Sequence, residues 1–251
     1  MIQLSLVGIG SGNPEHLTLE AIRVLESADL ILLPRKGSDK SELADVRRMI
    51  ARNLLKTKPR ITEFDYPERD GSTPDYLDGV SSWHDALGMI WGDLIRKNAS
   101  PGSHVALMVW GDPSLYDSTL RIANRVEAQG LNVKVRVVPG ITSLQMLTAA
   151  HAIPLNSLGA AVHITTGRRL RDQGWPHEAE TVVVMLDGEC SFQSLNQDKF
   201  NIWWGAYVGM PYQILRSGAL ATIAEEIVQI RSNARTAHGW VMDIYLLRRC
   251  D

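Results

Sequence analysis

Short apolar runs alternate with longer stretches of helical periodicity along the first half of the chain. This alternation predicts a mostly parallel sheet with helices on both faces. The predicted strands are residues 2–9, 29–33, 60–64, 104–110 and 133–138, and the predicted helices are 18–27, 41–55, 76–98 and 115–129. The third helix shows the 3.6-residue period most clearly, with one face formed by Leu77, Val80, Trp83, Leu87, Ile90 and Leu94.

A second α/β pattern begins after Ser143. The predicted elements are a short helix over 144–150, a helix over 220–230, and strands 161–166, 181–186, 202–208 and 240–247. The Pro139-Gly140 break marks the predicted boundary, which gives an amino-terminal domain of residues 1–140 and a carboxyl-terminal domain of 141–251. Clefts between domains are preferred small-molecule sites. We therefore predict two α/β domains with mostly parallel sheets and a ligand cleft between them.

Composition narrows the class of protein. The chain has 251 residues, 45% hydrophobic and 22% charged, with a formal net charge of −2, which is typical of globular proteins and does not favour nucleic-acid or membrane partners. No apolar run approaches the ~20 residues of a membrane span, and the first residues resemble a strand rather than a signal peptide. Cys190 and Cys250 form no Cys-x-x-Cys motif, so we expect a cytoplasmic protein with no disulfide and no metal site.

Three glycine-containing turns each follow a predicted strand. They are Gly111-Asp112-Pro113, Pro139-Gly140-Ile-Thr142-Ser143 and the Gly8-x-Gly10-x-Gly12 segment. In open α/β sheets, ligands bind outside the carboxyl ends of the strands, so these turns face the expected binding crevice. Asp112 either caps the turn of the following helix or binds an ammonium or hydroxyl group of a ligand.

Taken together, these turns resemble the tetrapyrrole (corrin and porphyrin) methylase family. The family's marks are a glycine-rich first turn, Gly-Asp-Pro-x-x-Tyr and Pro-Gly-Ile-Thr-Ser, and all stand here in the family's order. The resemblance extends over nearly the whole chain. It implies a methyltransferase that uses S-adenosylmethionine as cofactor, acts on a carbon of a tetrapyrrole and forms a homodimer.

The resemblance also implies where the cofactor binds. The positions carried over are Gly111, Asp112, Tyr116, Thr142, Ser143, either Met185 or Leu186 (of which we take Leu186), Tyr207, Val208 and Trp240. We add Trp110 because it stands immediately before the Gly-Asp-Pro turn.

The first glycine-rich turn leaves a different cofactor open. A dinucleotide fingerprint needs G-x-G-x-x-G at the start of a helix. Here the spacing is G-x-G-x-G, Pro14 follows, and Thr18 is the predicted helix cap. Arg35 would suit a 2′-phosphate, so an NADP-dependent reductase is the alternative. S-adenosylmethionine has no phosphate, and a turn with a close backbone but no phosphate cradle favours it.

Basic residues at strand ends are the candidate substrate contacts: Arg35, Lys36, Lys40, Arg168 and Arg169. Each one alone is typical of a solvated surface. Two clusters at carboxyl ends suit a substrate with several carboxylates, because arginine binds carboxylates bidentately. The polar loop over 65–75 is long enough to form a flap.

The carboxyl-terminal motifs resemble a deacetylating branch of the family, which methylates a precorrin and releases acetate from it. Methyl transfer mainly needs positioning of the acceptor carbon. Attack of water on an acetyl carbonyl favours a general base, for which Asp117, Asp65, Glu189 and Asp243 are candidates. We assign Asp117 as that base and Tyr116 as a donor to the acetyl oxygen. Another tetrapyrrole C-methyltransferase and a non-catalytic cofactor-binding sensor are the alternatives.

Overall fold

The computed structural model describes residues 1–35, 41–68 and 75–250. The chain divides into two compact units, one from Met1 to Thr142 and the other from Ser143 onward.

The first unit has an open α/β sheet. Its strands are β1 (Ile2–Gly8), β2 (Leu30–Arg35), β3 (Arg60–Asp65), β4 (His104–Val109) and β5 (Val133–Val138). Its helices are α1 (Leu19–Glu26), α2 (Ser41–Met49), α3 (Tyr76–Asn98) and α4 (Thr119–Ala128), with a 3-10 turn at Pro14–His16 and a π-helical turn at Ile50–Leu54. The strand order is β3-β2-β4-β1-β5, and neighbouring strands are parallel. The prediction of a parallel sheet is confirmed for this unit.

Both faces of this sheet are covered by helices. Side chains alternate between the two faces along each strand, so a strand can contribute to a buried cluster on either side. On one face, Leu107 packs in a buried cluster with Trp91 of α3 and Ile122 of α4. On the other, Met108 packs in a cluster with Val24 of α1. The apolar runs of the strands therefore reflect burial on two sides.

One predicted helix starts later than the pattern suggested. The prediction was 115–129, but α4 begins at Thr119. Tyr116 has a positive φ of 49° and interrupts the helical path, and the Asp117 carboxylate accepts hydrogen bonds from the Thr119 N–H (2.7 Å) and hydroxyl (2.5 Å). Asp117 therefore satisfies the first backbone N–H of the helix from the position before the N-cap residue, Ser118.

The second unit has strands β6 (Val162–Thr166), β7 (Thr181–Met185), β8 (Phe200–Ala206), β9 (Ile214–Ala219) and β10 (Asp243–Arg249). Its helices are α5 (Ser143–His151), α6 (Gly167–Gln173) and α7 (Leu220–His238), with 3-10 turns at Ser191–Ser194 and Gln197–Lys199. The strand order is β6-β7-β10-β8-β9. The α/β class holds for both units.

The expectation of a mostly parallel sheet is wrong for the second unit. Only the β6–β7 pair is parallel among the described strands, whereas β10 runs antiparallel to β7 and β8, and β8 antiparallel to β9. A parallel crossover needs about a dozen residues, and the connection over 207–213 is too short for one. Strand β9 was not predicted because Arg216-Ser217-Gly218 breaks its apolar run.

Candidate functional site

The three turns predicted from the sequence meet at one edge of the first sheet. Strand β1 lies between β4 and β5 and is parallel to both, so their carboxyl ends emerge side by side. The turns are also joined directly, because the Gly111 N–H donates to the Gly10 carbonyl over 2.8 Å. This edge is where open α/β sheets bind ligands.

Glycine is required where these turns touch. A Cβ on Gly140 would lie 2.1 Å from the Gly111 carbonyl oxygen, and a Cβ on Gly8 would lie 2.6 Å from the Gly140 nitrogen. Real Cβ contacts are essentially never shorter than 3.0 Å. The turns after β1, β4 and β5 therefore pack backbone against backbone, and we call this contact the glycine junction (Gly8, Gly111 and Gly140).

Asp112 fastens the junction. One carboxylate oxygen accepts from the Ser114 N–H (2.8 Å) and hydroxyl, and the other accepts from the Gly140 N–H (2.9 Å). Burial alone would raise the pKa of Asp112, but these hydrogen bonds outweigh it and the pKa is lowered. Asp112 thus caps its own turn and holds the β5 turn in place. A ligand contact at this carboxylate stays a prediction.

The residues flanking the junction include a buried donor. The indole N–H of Trp110 is buried and has no hydrogen-bond acceptor within the described part of the chain. Tyr116 is exposed and left-handed, Thr142 is buried and Ser143 is half-buried. A buried unpaired N–H costs free energy, so Trp110 is suited to donate to a bound group.

In the second unit, Leu186 follows β7 directly in a left-handed conformation (φ 53°) and is 66% exposed. A positive φ is strained for leucine, so the surrounding turn has to hold it. The exposed side chain is thereby kept in one position, where a ligand or a partner can reach it. Asp187, which sequence reasoning missed, holds this turn: its carboxylate accepts from Ser191 N–H (2.6 Å) and from the Tyr245 hydroxyl (2.6 Å). The strand-Leu-Asp-Gly sequence was the available signal.

Tyr207, Val208 and Trp240 are all buried in the second unit. The Tyr207 hydroxyl donates to the Trp240 carbonyl over 2.5 Å, and the two rings meet edge to face with centroids 5.1 Å apart. Their side chains therefore belong to the core, which leaves backbone groups as the proposed cofactor contacts, together with the Trp240 indole N–H. That N–H is buried without an acceptor among the described residues.

The four candidate bases differ in their partners. The Asp65 carboxylate is held bidentately by Arg35 (2.9 and 2.7 Å), and Glu189 pairs with Arg171. Asp243 is buried against Arg231 (2.9 Å) and the Trp204 indole N–H (3.0 Å), and burial raises its pKa. Asp117 makes no ion pair within the described ranges. This difference favours Asp117.

The proposed substrate contacts are placed only in part. Arg168 and Arg169 are exposed in the first turn of α6, directly after β6. The Arg35 fork is occupied by Asp65, so a substrate carboxylate would have to displace that partner. Lys36 and Lys40 lie outside the described residues, as does most of the 65–75 loop. No cluster of metal-binding side chains and no helix able to span a membrane occurs among residues 1–35, 41–68 and 75–250.

Comparison with known proteins identifies the family of the chain. Residues 3–224 match the model of the Tetrapyrrole (Corrin/Porphyrin) Methylases, and the chain belongs to this family. It is similar to the Precorrin-6A synthase [deacetylating] of Sinorhizobium sp, with 46% identity over 99% of this chain and 96% of that protein.

Two solved structures are also similar. A cobalamin synthesis related protein (CobF) from Corynebacterium diphtheriae is 36% identical, with a TM-score of 0.84 and 100% of each chain covered. The uroporphyrin-III C-methyltransferase of Thermus thermophilus, solved in complex with S-adenosylhomocysteine, has a TM-score of 0.60 with 98% of this chain and 92% of that chain covered. At 20% identity, the second likeness shows the fold alone.

The glycine junction predicts that Gly140→Ala is strongly destabilising. The added methyl would collide with the Gly111 carbonyl, so we expect the free energy of unfolding to fall by about 1–3 kcal/mol or more. Urea unfolding measures this, with Gly188→Ala as the control because a Cβ there meets nothing within 4 Å. Equal stability of the two variants would contradict backbone packing at the junction.

Asp112 predicts a defined pH dependence. Its pKa in the folded state lies below the reference 3.8, so its stabilisation is complete above that pH and is lost as the pH falls through the folded pKa. Asp112→Asn should lower the free energy of unfolding by roughly 1.5–3 kcal/mol at neutral pH, and by less in acid. Unfolding measured across this range tests it. If the difference in free energy of unfolding between the wild type and Asp112→Asn stays constant as the pH falls, the charge of Asp112 does not cause the stabilisation.

Proposed function

We propose that this protein methylates C1 of precorrin-5 from S-adenosylmethionine and releases acetate, which gives precorrin-6A in aerobic cobalamin synthesis. The observation that carries this proposal is the 46% identity to a deacetylating precorrin-6A synthase over nearly the full length of both chains. Within the first unit, the closely packed backbone of the glycine junction supports the proposal, and so does the exposed Leu186 within the second. A homodimer is proposed from the family resemblance, and a cytoplasmic location from the absence of a cysteine motif.

The described residues fit S-adenosylmethionine as cofactor. The buried indole N–H groups of Trp110 and Trp240 lack acceptors among the described residues, and polar groups on a ligand would satisfy them. The further proposed contacts are Gly111, Asp112, Tyr116, Thr142, Ser143, Leu186, Tyr207 and Val208. When bound, the cofactor supplies an electrophilic methyl group on a sulfonium sulfur.

The chain's own part in methyl transfer is positioning. The macrocycle supplies the carbon nucleophile, so no proton has to move before the new bond forms. Holding that carbon in line with the transferred methyl is worth several kcal/mol. Arg168 and Arg169 are proposed to bind peripheral carboxylates of the substrate, with Lys36 and Lys40 as further candidates outside the described residues.

Acetate release needs a base and an oxyanion donor. Water attacks the acetyl carbonyl carbon, Asp117 takes the proton, and the C–C bond breaks with its electron pair returning to the macrocycle. The Asp117 Oδ1 atom accepts from Thr119, whereas Oδ2 accepts nothing from the described residues and is available for water. Tyr116, exposed beside it, is proposed to donate to the acetyl oxygen.

The function is tested by incubating the protein with precorrin-5 and methyl-labelled S-adenosylmethionine. We expect one methyl and one free acetate per turnover, measured by mass spectrometry of the macrocycle and an acetate assay. Methylation without acetate would agree with a methyltransferase of this family but would contradict the proposed deacetylating reaction. Turnover of a different precorrin would point to another C-methyltransferase, and no turnover of any precorrin would favour a cofactor-binding sensor.

The base assignment predicts that Asp117→Asn separates the two steps. Asparagine keeps an oxygen to cap Thr119 but cannot take a proton from water. We expect acetate release to fall by about 10²-fold or more, while methyl transfer continues near the wild-type rate. Asp65→Asn is the matched comparison, because Asp65 is already paired with Arg35. If Asp65→Asn separates the steps and Asp117→Asn does not, Asp117 is not the base.

A further inference from the structure

Helix α2 buries an arginine that has no carboxylate partner within the described residues. Arg47 is only 9% exposed. Its Nε donates to the Met108 carbonyl (3.0 Å) and its Nη1 to the Leu43 carbonyl (3.0 Å). Its Nη2 has no hydrogen-bond acceptor in the described part of the chain. The side chain is thus fixed by two backbone groups, with one amino group left over.

The neighbouring arginine shows what is unusual about Arg47. Arg48 lies on the same helix, is more exposed, and is bound bidentately by Glu63 (2.8 Å each) and by Asp45 (2.8 Å). Burial lowers the pKa of Arg47, yet an arginine remains protonated at neutral pH. A buried charge without an ion-pair partner costs several kcal/mol, so an anion that binds it stabilises the protein.

Arg47 reaches the edge where the glycine junction lies. Met108, its acceptor, stands in β4 shortly before Gly111. Tyr66 follows β3 at the same edge, where its N–H donates to the Arg35 carbonyl over 3.3 Å, and its ring stacks on Trp83. Burial raises the pKa of Tyr66, the charge of Arg47 lowers it and that of Asp117 raises it.

We propose that Arg47 forms a carboxylate-binding subsite at the carboxyl edge of the first sheet, the edge where Tyr66 and Asp117 also follow their strands. A guanidinium with a free amino group and a fixed orientation matches a carboxylate. Within the proposed function, on which this part rests, the carboxylate is either the acetate released beside Asp117 or an acidic side chain of the macrocycle.

The subsite is tested without catalysis by titrating sodium acetate into the wild-type protein. The Nε–H of Arg47 is buried and bonded to Met108, so it should give a slowly exchanging signal in a ¹⁵N–¹H spectrum, assigned through its contacts with Met108 and by its loss in Arg47→Lys. We expect a saturable shift of this signal with acetate and none with sodium chloride. Arg48, already paired, should not shift in the same way.

Absence of a saturable acetate response at Arg47 overturns the subsite, whatever the enzyme does. A response in the wild type supports it even if Arg47→Lys does not fold. Failure of wild-type turnover on precorrin-5 would instead count against the proposed function.

Kinetics of Arg47→Lys, with Arg48→Lys as the control, then distinguish the two sources of the carboxylate. Loss of product inhibition by acetate, at unchanged KM for precorrin-5, identifies released acetate. A KM for precorrin-5 raised about tenfold or more, at unchanged S-adenosylhomocysteine affinity, identifies a macrocycle carboxylate. If Arg47→Lys matches Arg48→Lys in both measurements, the subsite is wrong.

Discussion

The contact on which the first unit depends is the meeting of three backbone segments at Gly8, Gly111 and Gly140. A Cβ atom on Gly8 or Gly140 would collide with the facing backbone, so the turns after β1, β4 and β5 can approach only because these two positions lack one, while Gly111 has a positive φ of 66°. Asp112 then holds two of these turns together, since its carboxylate accepts hydrogen bonds from its own turn and from the Gly140 N–H. The strand ends and the residues that follow them are therefore positioned together rather than as independent loops.

The second unit fixes its own turn by different means. There, Asp187 binds the backbone of the segment after β7, and Arg231 donates to the Asp187 carbonyl (2.8 Å) while pairing with Asp243. A polar cluster of this kind tolerates burial only when its members are satisfied. Its effect is to keep Leu186 exposed with a positive φ, which an unsupported turn would not maintain.

The sequence predicted the structure correctly where a local pattern of residues is compatible with only one local structure. The parallel sheet of the first unit followed from apolar runs buried on both faces, and the three turns followed from glycine and proline at strand ends. The mixed second sheet could not be predicted in this way, because strand direction depends on connections, and β9 was hidden by Arg216-Ser217-Gly218. Asp112 left two roles open in the sequence, and its protein partners became visible only in three dimensions.

Charged groups were the least predictable part of the candidate site. The sequence offered Asp65, Glu189 and Asp243 as further candidate bases beside Asp117, and each of these three has an arginine partner in the structure. Arg47 and Arg48 cannot be distinguished in the sequence. They differ in burial and in carboxylate partners among the described residues, and both properties depend on how the chain packs.

The placement of these charges matches the order of the proposed reaction. Methyl transfer passes a positive charge from the sulfonium to the macrocycle and creates no anion, so this step needs no anion-stabilising cation. Acetate release does create an anion, and it is favoured by a fixed cation that no protein carboxylate already neutralises. Arg47 is held by the carbonyls of Met108 and Leu43 and makes no ion pair among the described residues, so it meets that requirement at the edge where the proposed base lies.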